Sequence, residues 1–270
     1  MKTTLKAGLA TAALAVACFT TPALSADLGP GSIKDGPAYA PAYAPTAAGP
    51  CYFRSDVGYS WSGTPTANYV GNAVDPALRH ESLENGFLFE GGLGCGSGSR
   101  GFRGELMLGL REQRKFHGDV DIVLGGIPVD PPIHTVVKSY TMMFNAYYDL
   151  GKIGGMVPYV GAGLGWAYHK MGEVVIDHPA SPNPQYGEDK LSFAWALMAG
   201  VGYQISDRAI LDVGYRYIDM GSARSSHGDT QLAWNPRLEI DDMTAHEFKV
   251  GLRYHFGSAD CCAQPYAPLK

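Results

Sequence analysis

The stretch that most constrains the fold lies near the end of the chain, at residues 246–256. Its apolar side chains occupy every second position: Phe248, Val250, Leu252, Tyr254 and Phe256. The positions between them hold Glu247, Lys249, Gly251, Arg253 and His255. Wound as a helix, the segment would scatter its apolar side chains over opposite sides and form no apolar stripe. The run therefore predicts a β-strand with one apolar and one charged face.

A run of about ten alternating residues that ends on phenylalanine resembles the C-terminal strand of bacterial outer-membrane β-barrels. In that family the terminal aromatic residue is part of the signal read by the barrel-assembly machinery, so the resemblance implies this machinery as a partner during biogenesis. The implied assembly signal consists of Phe248, Val250, Leu252, Tyr254 and Phe256. This sequence departs from the family pattern in that fourteen residues follow Phe256. The alternative is an edge strand of a soluble β-sandwich.

The first 26 residues have the composition of a secretory signal peptide. A basic opening and an apolar run at residues 7–19 lead to small residues, with cleavage predicted after Ser25 or Ala26. Residues 27–50 are rich in proline and alanine and are predicted to form an extended periplasmic spacer. Without the signal peptide, 19 basic residues (21 minus Lys2 and Lys6) remain against 26 acidic ones, a net charge of −7. This balance argues against nucleic acid as a partner.

Seven further alternating runs precede the last one, and the connections between the eight runs alternate in length. Long polar segments lie at residues 62–85, 112–135, 170–190 and 220–244. Short turns lie at residues 96–99, 151–155 and 206–208. Long loops at one end and short turns at the other are typical of outer-membrane barrels. In the second long segment, apolar residues flank Gly125-Gly126, which allows the strand pair to continue as a hairpin.

A barrel is also the membrane-spanning structure that remains open to this sequence. No segment after the signal peptide reaches the roughly 18 consecutive apolar residues of a spanning helix, and only helices and closed barrels satisfy their backbone groups in lipid. We therefore predict an all-β fold, an eight-stranded antiparallel up-and-down transmembrane β-barrel over residues 51–256. Residues 257–270 are predicted to be a periplasmic tail.

Volume decides which face of each strand lies inside. About five bulky apolar side chains from each of eight strands exceed the interior of so small a barrel, so the apolar set is predicted to face lipid. The other set contains many of the 35 glycines and fits the interior. Charges in a narrow interior are costly unless they neutralise one another. We therefore predict a lumen charge network of Arg54, Asp56, Glu90, Arg103, Glu105, Arg111, Asp212, Arg216, Glu247, Lys249 and Arg253.

The whole arrangement resembles the small outer-membrane barrels of the OmpA/OmpX kind. The opening YFRSDVGYSW (residues 52–61) and the later PYVGAG (residues 158–163) are most similar to the α-proteobacterial surface-antigen porin family. The resemblance implies a location in the outer membrane, in contact with its lipid. The expected role is structural and surface-interacting, with four extracellular loops that meet an unknown ligand. The alternatives are a narrow pore for small solutes and a surface binder of haem or another ligand.

Enzymatic activity is not expected. The barrel lipid-A deacylases carry a His-x-Ser motif on their last strands, whereas His246 is followed by Glu247 and His255 by Phe256. The histidines on or near the long-loop side are His80, His117, His134, His169, His178, His227 and His246. No pair of these has ligand spacing on one strand or helix, so solvated loop histidines are expected, without a metal site or a cofactor.

Four cysteines remain after the signal peptide, which carries Cys18, is removed: Cys51, Cys95, Cys261 and Cys262. An even number in an exported chain favours disulfides. All four lie on the short-turn side of the predicted barrel, and Cys51 and Cys95 share the apolar parity of adjacent strands. We predict a Cys51–Cys95 bridge and a Cys261–Cys262 bridge. Two other connectivities, free thiols and a four-thiolate metal site are the alternatives.

Overall fold

The computed structural model describes residues 48–70, 78–96, 100–124, 127–177, 186–226 and 237–258. Among these residues, no helix has the length and apolar character needed to cross a membrane. The strands found in them, numbered along the chain, are β1 (Ala48–Ser62), β2 (Thr66–Val70), β3 (Leu78–Leu83), β4 (Gly86–Gly96), β5 (Gly101–Val120), β6 (Ile122–Leu124), β7 (Ile127–Val129), β8 (Pro132–Asp149), β9 (Met156–Met171), β10 (Val175–Ile176), β11 (Gly187–Gln204), β12 (Ala209–Asp219), β13 (Ala223–Ser225), β14 (Arg237–Asp241) and β15 (Thr244–Ser258).

Eight long strands form a ring, because each pairs antiparallel with two of the others. The order around the ring is β1, β4, β5, β8, β9, β11, β12 and β15, and β15 pairs again with β1. These strands correspond to the eight alternating runs of the sequence. The predicted all-β, eight-stranded antiparallel architecture is confirmed. The strand β1 begins within the predicted spacer, at Ala48.

The outward face of the ring, here called the outer wall, is apolar. Phe102 is 78% exposed, and Leu108 and Leu164 are each 59% exposed. Apolar side chains at this exposure along all eight strands would be a large hydrophobic patch on a soluble protein. The same surface is stable in a membrane, where only a closed barrel leaves no strand edge unpaired. The alternation of side chains thus places the apolar set in contact with lipid.

The short connections lie at one end of the ring and the long connections at the other. The turn between β8 and β9 uses Gly151, Gly154 and Gly155, whose φ angles of 118°, 58° and 90° are accessible to glycine at little cost. The long connections, predicted to be polar segments, also contain strands: β2, β3, β6, β7, β10, β13 and β14. In the second of them the strands β5 and β8 continue, and β6 pairs with β7 in the hairpin that was predicted there.

A bulge in β5 explains why this continuation is hard to read from the sequence. The register of β5 against β8 shifts between Arg111 and Arg114. Glu112 and Gln113 are both exposed, and the inward positions beyond them are Arg114 and Phe116. An extra residue on one strand reverses the parity of everything that follows it. The period of two therefore breaks at the place where the predicted loop begins.

Three short strands from two different connections form a sheet that continues from the ring. β13 pairs with the first residues of β11, β14 pairs with β13, and β2 pairs with β14. We call β2, β13 and β14 the cap. Their inward side chains are buried and mostly apolar, and include Tyr69, Leu238 and Ile240.

The cap shares one apolar core with the long-loop end of the barrel interior. Phe116, Ile133, Met143, Ile218 and Met220 are each at most 1% exposed and belong to the same cluster as the buried cap residues. Small residues and charges were expected throughout the interior, and at this end that expectation is wrong. Apolar side chains from the long connections supply the volume that the barrel strands alone leave open.

Candidate functional site: the filled barrel interior

The rest of the interior is built from charged side chains. All eleven residues of the predicted lumen network project inward and are at most 5% exposed. They lie on β12, β15, β1, β4 and β5, which are consecutive in the ring and form one continuous wall. Alternation along each strand carries them to the same face, so neighbouring strands bring opposite charges together.

One group of ion pairs lies near the short-turn end. The Arg54 guanidinium binds the Glu105 carboxylate at 3.0 Å and the Asp56 carboxylate at 2.8 Å. Arg103 binds Glu105 at 2.6 Å. On the far side of the same wall, Arg253 is paired with Asp212. Each guanidinium therefore has a carboxylate partner in a region without access to solvent.

A second group lies nearer the cap. Arg216 donates to Glu90 Oε1 at 2.6 Å and to Glu247 Oε2 at 2.6 Å. Arg111 binds the Glu247 carboxylate at 2.7 Å. The Lys249 ammonium joins the two groups, since it lies 2.8 Å from Glu90 Oε2 and 3.2 Å from Asp56 Oδ2. The result is one connected network along the charged wall.

Glycines make room for these side chains. A Cβ atom added at Gly251 would collide with the Asp56 carboxylate, and one added at Gly109 would lie 2.8 Å from Glu90 Oε1. Both glycines point inward, opposite or beside a carboxylate of the network. At these two positions glycine therefore leaves the space that a buried carboxylate of the network occupies.

The opposite wall of the interior is aromatic. Tyr147, Tyr159 and Met198 are buried and pack together. The Arg103 guanidinium lies 3.9 Å from the centroid of the Tyr147 ring and 4.5 Å from that of Tyr159, which are cation–π distances. The Arg103 guanidinium on the charged wall is thereby covered by two ring faces on the opposite wall.

Two charged members of the interior were missed by sequence reasoning. Asp149 is buried at the end of β8 and binds Arg103 at 2.9 Å. It shares the inward parity of Asn145 and Tyr147, so extending the alternation by one more step would have found it. Arg114 is buried beyond the β5 bulge, where the parity has already reversed. No local signal in the sequence identifies it.

With these two residues, the described buried charges number seven cations and six carboxylates. Arg114 is the cation left over. Its Nη1 donates to Ser62 Oγ at 2.8 Å, whereas its Nε and Nη2 have no hydrogen-bond partner among the described residues. It lies where the charged network meets the apolar core.

His169 corrects a prediction, because it is not a solvated loop residue. Its side chain is fully buried at the boundary between barrel and cap. Its Nδ1 lies 2.8 Å from Ser139 Oγ and its Nε2 lies 2.9 Å from the Met220 carbonyl oxygen. It therefore ties the wall of β8 and β9 to the chain segment that enters the cap. His178 and His227 lie outside the described residues.

The other loop-side histidines are exposed. His246 lies on the outer wall with its Nδ1 2.6 Å from Tyr215 Oη. His80, His117 and His134 lie on the outside of the extended β3, β5 and β8 strands, each beside a carboxylate. In the described part of the chain, no three His, Cys, Asp or Glu side chains are arranged to hold a metal ion.

Electrostatic pairing also holds the cap to the barrel. Lys190 of β11 binds Glu239 of β14 at 2.7 Å. Its hydrogen bond to that carboxylate holds the pKa of Glu239 below the usual range. On the same strand, burial raises the pKa of Asp241.

The structure joins Cys51 to Cys95 by a disulfide, as the strand parity predicted. The two residues are directly opposite in the β1–β4 register, with their Cα atoms 4.0 Å apart. The bridge closes the short-turn end of this strand pair. Cys261 and Cys262, and with them the second predicted bridge, lie outside the described residues.

The residues of the implied assembly signal all lie on the outer wall of β15. Phe248, Val250, Leu252, Tyr254 and Phe256 are between 37% and 49% exposed. Phe256 packs against Phe53 of β1, with the ring centroids 4.7 Å apart. Their role in assembly remains a prediction.

A closed antiparallel ring with an apolar outer wall, a polar inner face and long connections at one end defines an outer-membrane β-barrel protein. The comparisons with known proteins agree. The sequence model of the outer membrane protein beta-barrel domain matches residues 11–256, and the chain belongs to this family. Its place is therefore the outer membrane, in contact with membrane lipid.

Relatives and solved structures are similar over most of their length. An uncharacterized protein of Brucella suis biovar 1 is 28% identical over 259 residues, which cover 83% of this chain and 90% of the relative. The outer membrane protein PagN of Salmonella typhimurium is 27% identical, covering 72% of this chain and 87% of PagN. The outer membrane protein OprG from Pseudomonas aeruginosa shares the fold, with a TM-score of 0.50 and 14% identity over 78% of this chain and 98% of OprG.

Proposed function

We propose that this protein is a structural and surface-interacting barrel of the outer membrane, and that it does not conduct solutes. The observation that carries the proposal is the filled interior. Charged side chains, aromatic rings and the apolar core occupy it from the short-turn end to the cap. What the barrel offers to the outside is then the folded surface of its long connections.

The alternative of a narrow pore requires a continuous water-filled path. Arg216 is buried in the interior and donates hydrogen bonds to the buried carboxylates of Glu90 and Glu247. Phe116 and Met220 are fully buried in the apolar core nearer the cap. An ion entering this space would have to break charge-assisted hydrogen bonds that are costly to lose without replacement. Eight-stranded barrels have an interior just wide enough for their own side chains. The pore is therefore the weaker proposal.

Planar-bilayer recording of the purified full chain tests this part of the proposal. We expect no conductance steps in the range of general porins, recorded in parallel as a positive control. A variant in which a short turn replaces residues 222–242, and which therefore lacks β13 and β14, should also stay silent, because the charged network below remains. Porin-like steps from the intact chain would contradict the proposal.

The surface-interaction part is tested in cells that lack the protein. The full chain and the variant without β13 and β14 are expressed to equal levels, and the cells are assayed for detergent resistance and for attachment to an extracellular-matrix protein film. Both proteins should restore detergent resistance if the barrel itself supports the envelope. Only the full chain should promote attachment. If cells with the full chain attach no better than cells with the variant, or no better than cells without the protein, the cap has no part in attachment.

A further inference from the structure

Two exposed histidines face each other outside the barrel proper. His117 of β5 and His134 of β8 are direct partners in the strand register. Three positions further along, the Val120 amide donates to the Pro131 carbonyl at 3.1 Å, which marks that pair as hydrogen-bonded. Antiparallel pairs alternate in type, so His117 and His134 form a non-hydrogen-bonded pair, the type with the Cα atoms about 4.5 Å apart and the side chains closer together.

The backbone beneath the pair is fixed by the buried core, whereas the imidazole rings are about half exposed to solvent. Phe116 and Ile133, the neighbours of the two histidines on the opposite face, are at most 1% exposed in the apolar core. The side chains of His117 and His134 are 52% and 45% exposed. Neither ring is packed into a fixed orientation, so rotation about the side-chain torsions can bring the two rings together above a rigid sheet.

Carboxylates flank the pair on both sides. Glu84, just beyond β3, lies 3.9 Å from His117 Nε2. Asp177, just beyond β10, lies 3.9 Å from His134 Nδ1. The two acids come from different connections, and each follows a strand that pairs with β5 or β8. Their negative charge compensates a dication placed between the imidazoles.

We propose that His117 and His134 form a site for a divalent transition-metal ion, with Zn²⁺ and Cu²⁺ as the preferred ions. Imidazole nitrogen suits both metals, and a carboxylate and water complete their coordination. Among the described residues, no three ligand side chains are already placed close enough together to hold an ion. The site is therefore a two-imidazole chelate that closes when the metal arrives, with Glu84 or Asp177 recruited by a small rotation.

The site lies on the extracellular side and is separate from the interior network. A bound ion would link β5 to β8 and draw in the segments that carry Glu84 and Asp177. Because an ion that binds only the folded state stabilises it, metal should protect this part of the surface from local opening. The inference holds whether or not the barrel conducts.

Zn²⁺ titration by calorimetry tests the site in the full chain, purified without a polyhistidine tag and folded in detergent. We expect one equivalent of Zn²⁺ to bind with micromolar affinity. His117→Ala and His134→Ala should each weaken binding by at least about 100-fold, because each removes a direct ligand and the loss of an outer-shell partner alone costs up to about 100-fold. The double variant should bind more weakly than either single one, because each single variant keeps one imidazole ligand.

His80→Ala is the matched control. His80 lies on the same surface and its Nδ1 is 3.0 Å from Asp119 Oδ2, but it has no histidine opposite it in the register. Its variant should bind Zn²⁺ like the parent. With Cu²⁺, electron paramagnetic resonance should show two coupled imidazole nitrogens in the parent and one in each single variant of the pair.

Electrophoretic mobility without boiling confirms that each variant is folded before it is titrated. Absence of Zn²⁺ binding by the folded parent at millimolar metal would overturn the proposal. So would equal losses in the His80, His117 and His134 variants, since these would indicate diffuse binding by surface imidazoles rather than a chelate.

Discussion

Arg216 lies fully buried between two carboxylates on different strands, Glu90 of β4 and Glu247 of β15. A buried ion pair adds little net stability over apolar residues of the same volume. Removal of one partner nevertheless leaves the other as an uncompensated buried charge. The effect of removing a buried charge therefore depends on its partners. Substitution of Arg216 and of Arg114 should change the free energy of unfolding in opposite directions.

Arg216→Met should lower the free energy of unfolding by about 3–5 kcal/mol, because two buried carboxylates lose their shared cation. Glu90 then keeps Lys249 as a partner and Glu247 keeps Arg111, but the negative charge around them is no longer fully compensated. Urea unfolding in phospholipid vesicles, followed by tryptophan fluorescence, measures the change. Arg79→Met is the matched control, since Arg79 also binds an aspartate, Asp121 at 2.7 Å, but with a 66% exposed side chain. Exposed pairs contribute only about 0–1 kcal/mol. Equal losses in the two variants would argue against a buried network.

Arg114→Met should have the opposite sign and raise the free energy of unfolding by about 1–3 kcal/mol. No described carboxylate forms an ion pair with Arg114, and two of its three guanidinium nitrogens lack a partner. Methionine fills a similar volume against the apolar core without that desolvation cost. The same urea experiment decides, and a loss as large as that of Arg216→Met would mean that Arg114 has a counter-ion.

At the scale of elements, β15 and β14 use one alternating pattern for two environments. On β15 the apolar face meets lipid and the charged face meets the interior network. On β14 the apolar face, with Leu238 and Ile240, meets the core shared by cap and barrel. The pattern identifies a strand with two unlike faces, and the position of the strand decides what each face contacts.

Phe256→Ala should lower the amount of protein in the outer membrane if the last strand carries the assembly signal. Phe53→Ala is the matched control, because it removes the same ring contact from the β1 side and keeps the aromatic end of β15. Quantitative immunoblots of membrane fractions compare the two variants. Equal amounts of both in the membrane would assign Phe256 to packing alone.

Leu238→Ala should loosen the cap and leave the barrel intact. Leu238 is fully buried in the apolar core, where such a truncation costs about 2–5 kcal/mol. Trypsin added to intact cells should then cut at Arg224 of β13 or Arg237 of β14. Leu164→Ala, at a 59% exposed position of the outer wall, should stay resistant. A resistant Leu238 variant would show that the cap does not depend on this core.

For the whole molecule, closure of the ring is the property on which everything else depends. β1 and β15 are joined by twelve consecutive residue pairs, from Cys51↔Phe256 to Ser62↔Ala245. The Cys51–Cys95 disulfide joins β1 to its other neighbour, β4, and does not contribute to this seam. The barrel should therefore remain closed when the disulfide is reduced.

Unboiled protein should run apart from boiled protein in gel electrophoresis, because a closed barrel resists the detergent and stays compact. The difference should persist with a reductant in the sample buffer. A Cys51→Ser, Cys95→Ser double variant provides the control without added thiol. Equal mobility before and after boiling would contradict a closed barrel. A mobility difference that disappears only with reductant would show that the disulfide, and not the pairing of β1 with β15, keeps the barrel closed.

Much of this architecture is readable from the order of residues alone. Alternation of period two identifies the eight strands and their two faces, because side-chain direction along a strand is a local property. The same parity placed all eleven predicted charges in the interior and aligned Cys51 with Cys95. It failed at Glu112 and Gln113, where an extra residue reverses the faces, so the inward positions of the continuing strand were not predicted.

The tertiary structure alone decided the partners and the contents of the interior. Arg216 meets Glu90 across 126 positions of sequence, and the choice among six buried carboxylates depends on how the strands are staggered around the ring. The cap brings β2 of the first long connection beside β14 of the last, although each segment by itself has only a short apolar alternation. Periodicity is set along the chain, whereas pairing and burial depend on which strands become neighbours when the ring closes, and this is why the filled interior emerged only in three dimensions.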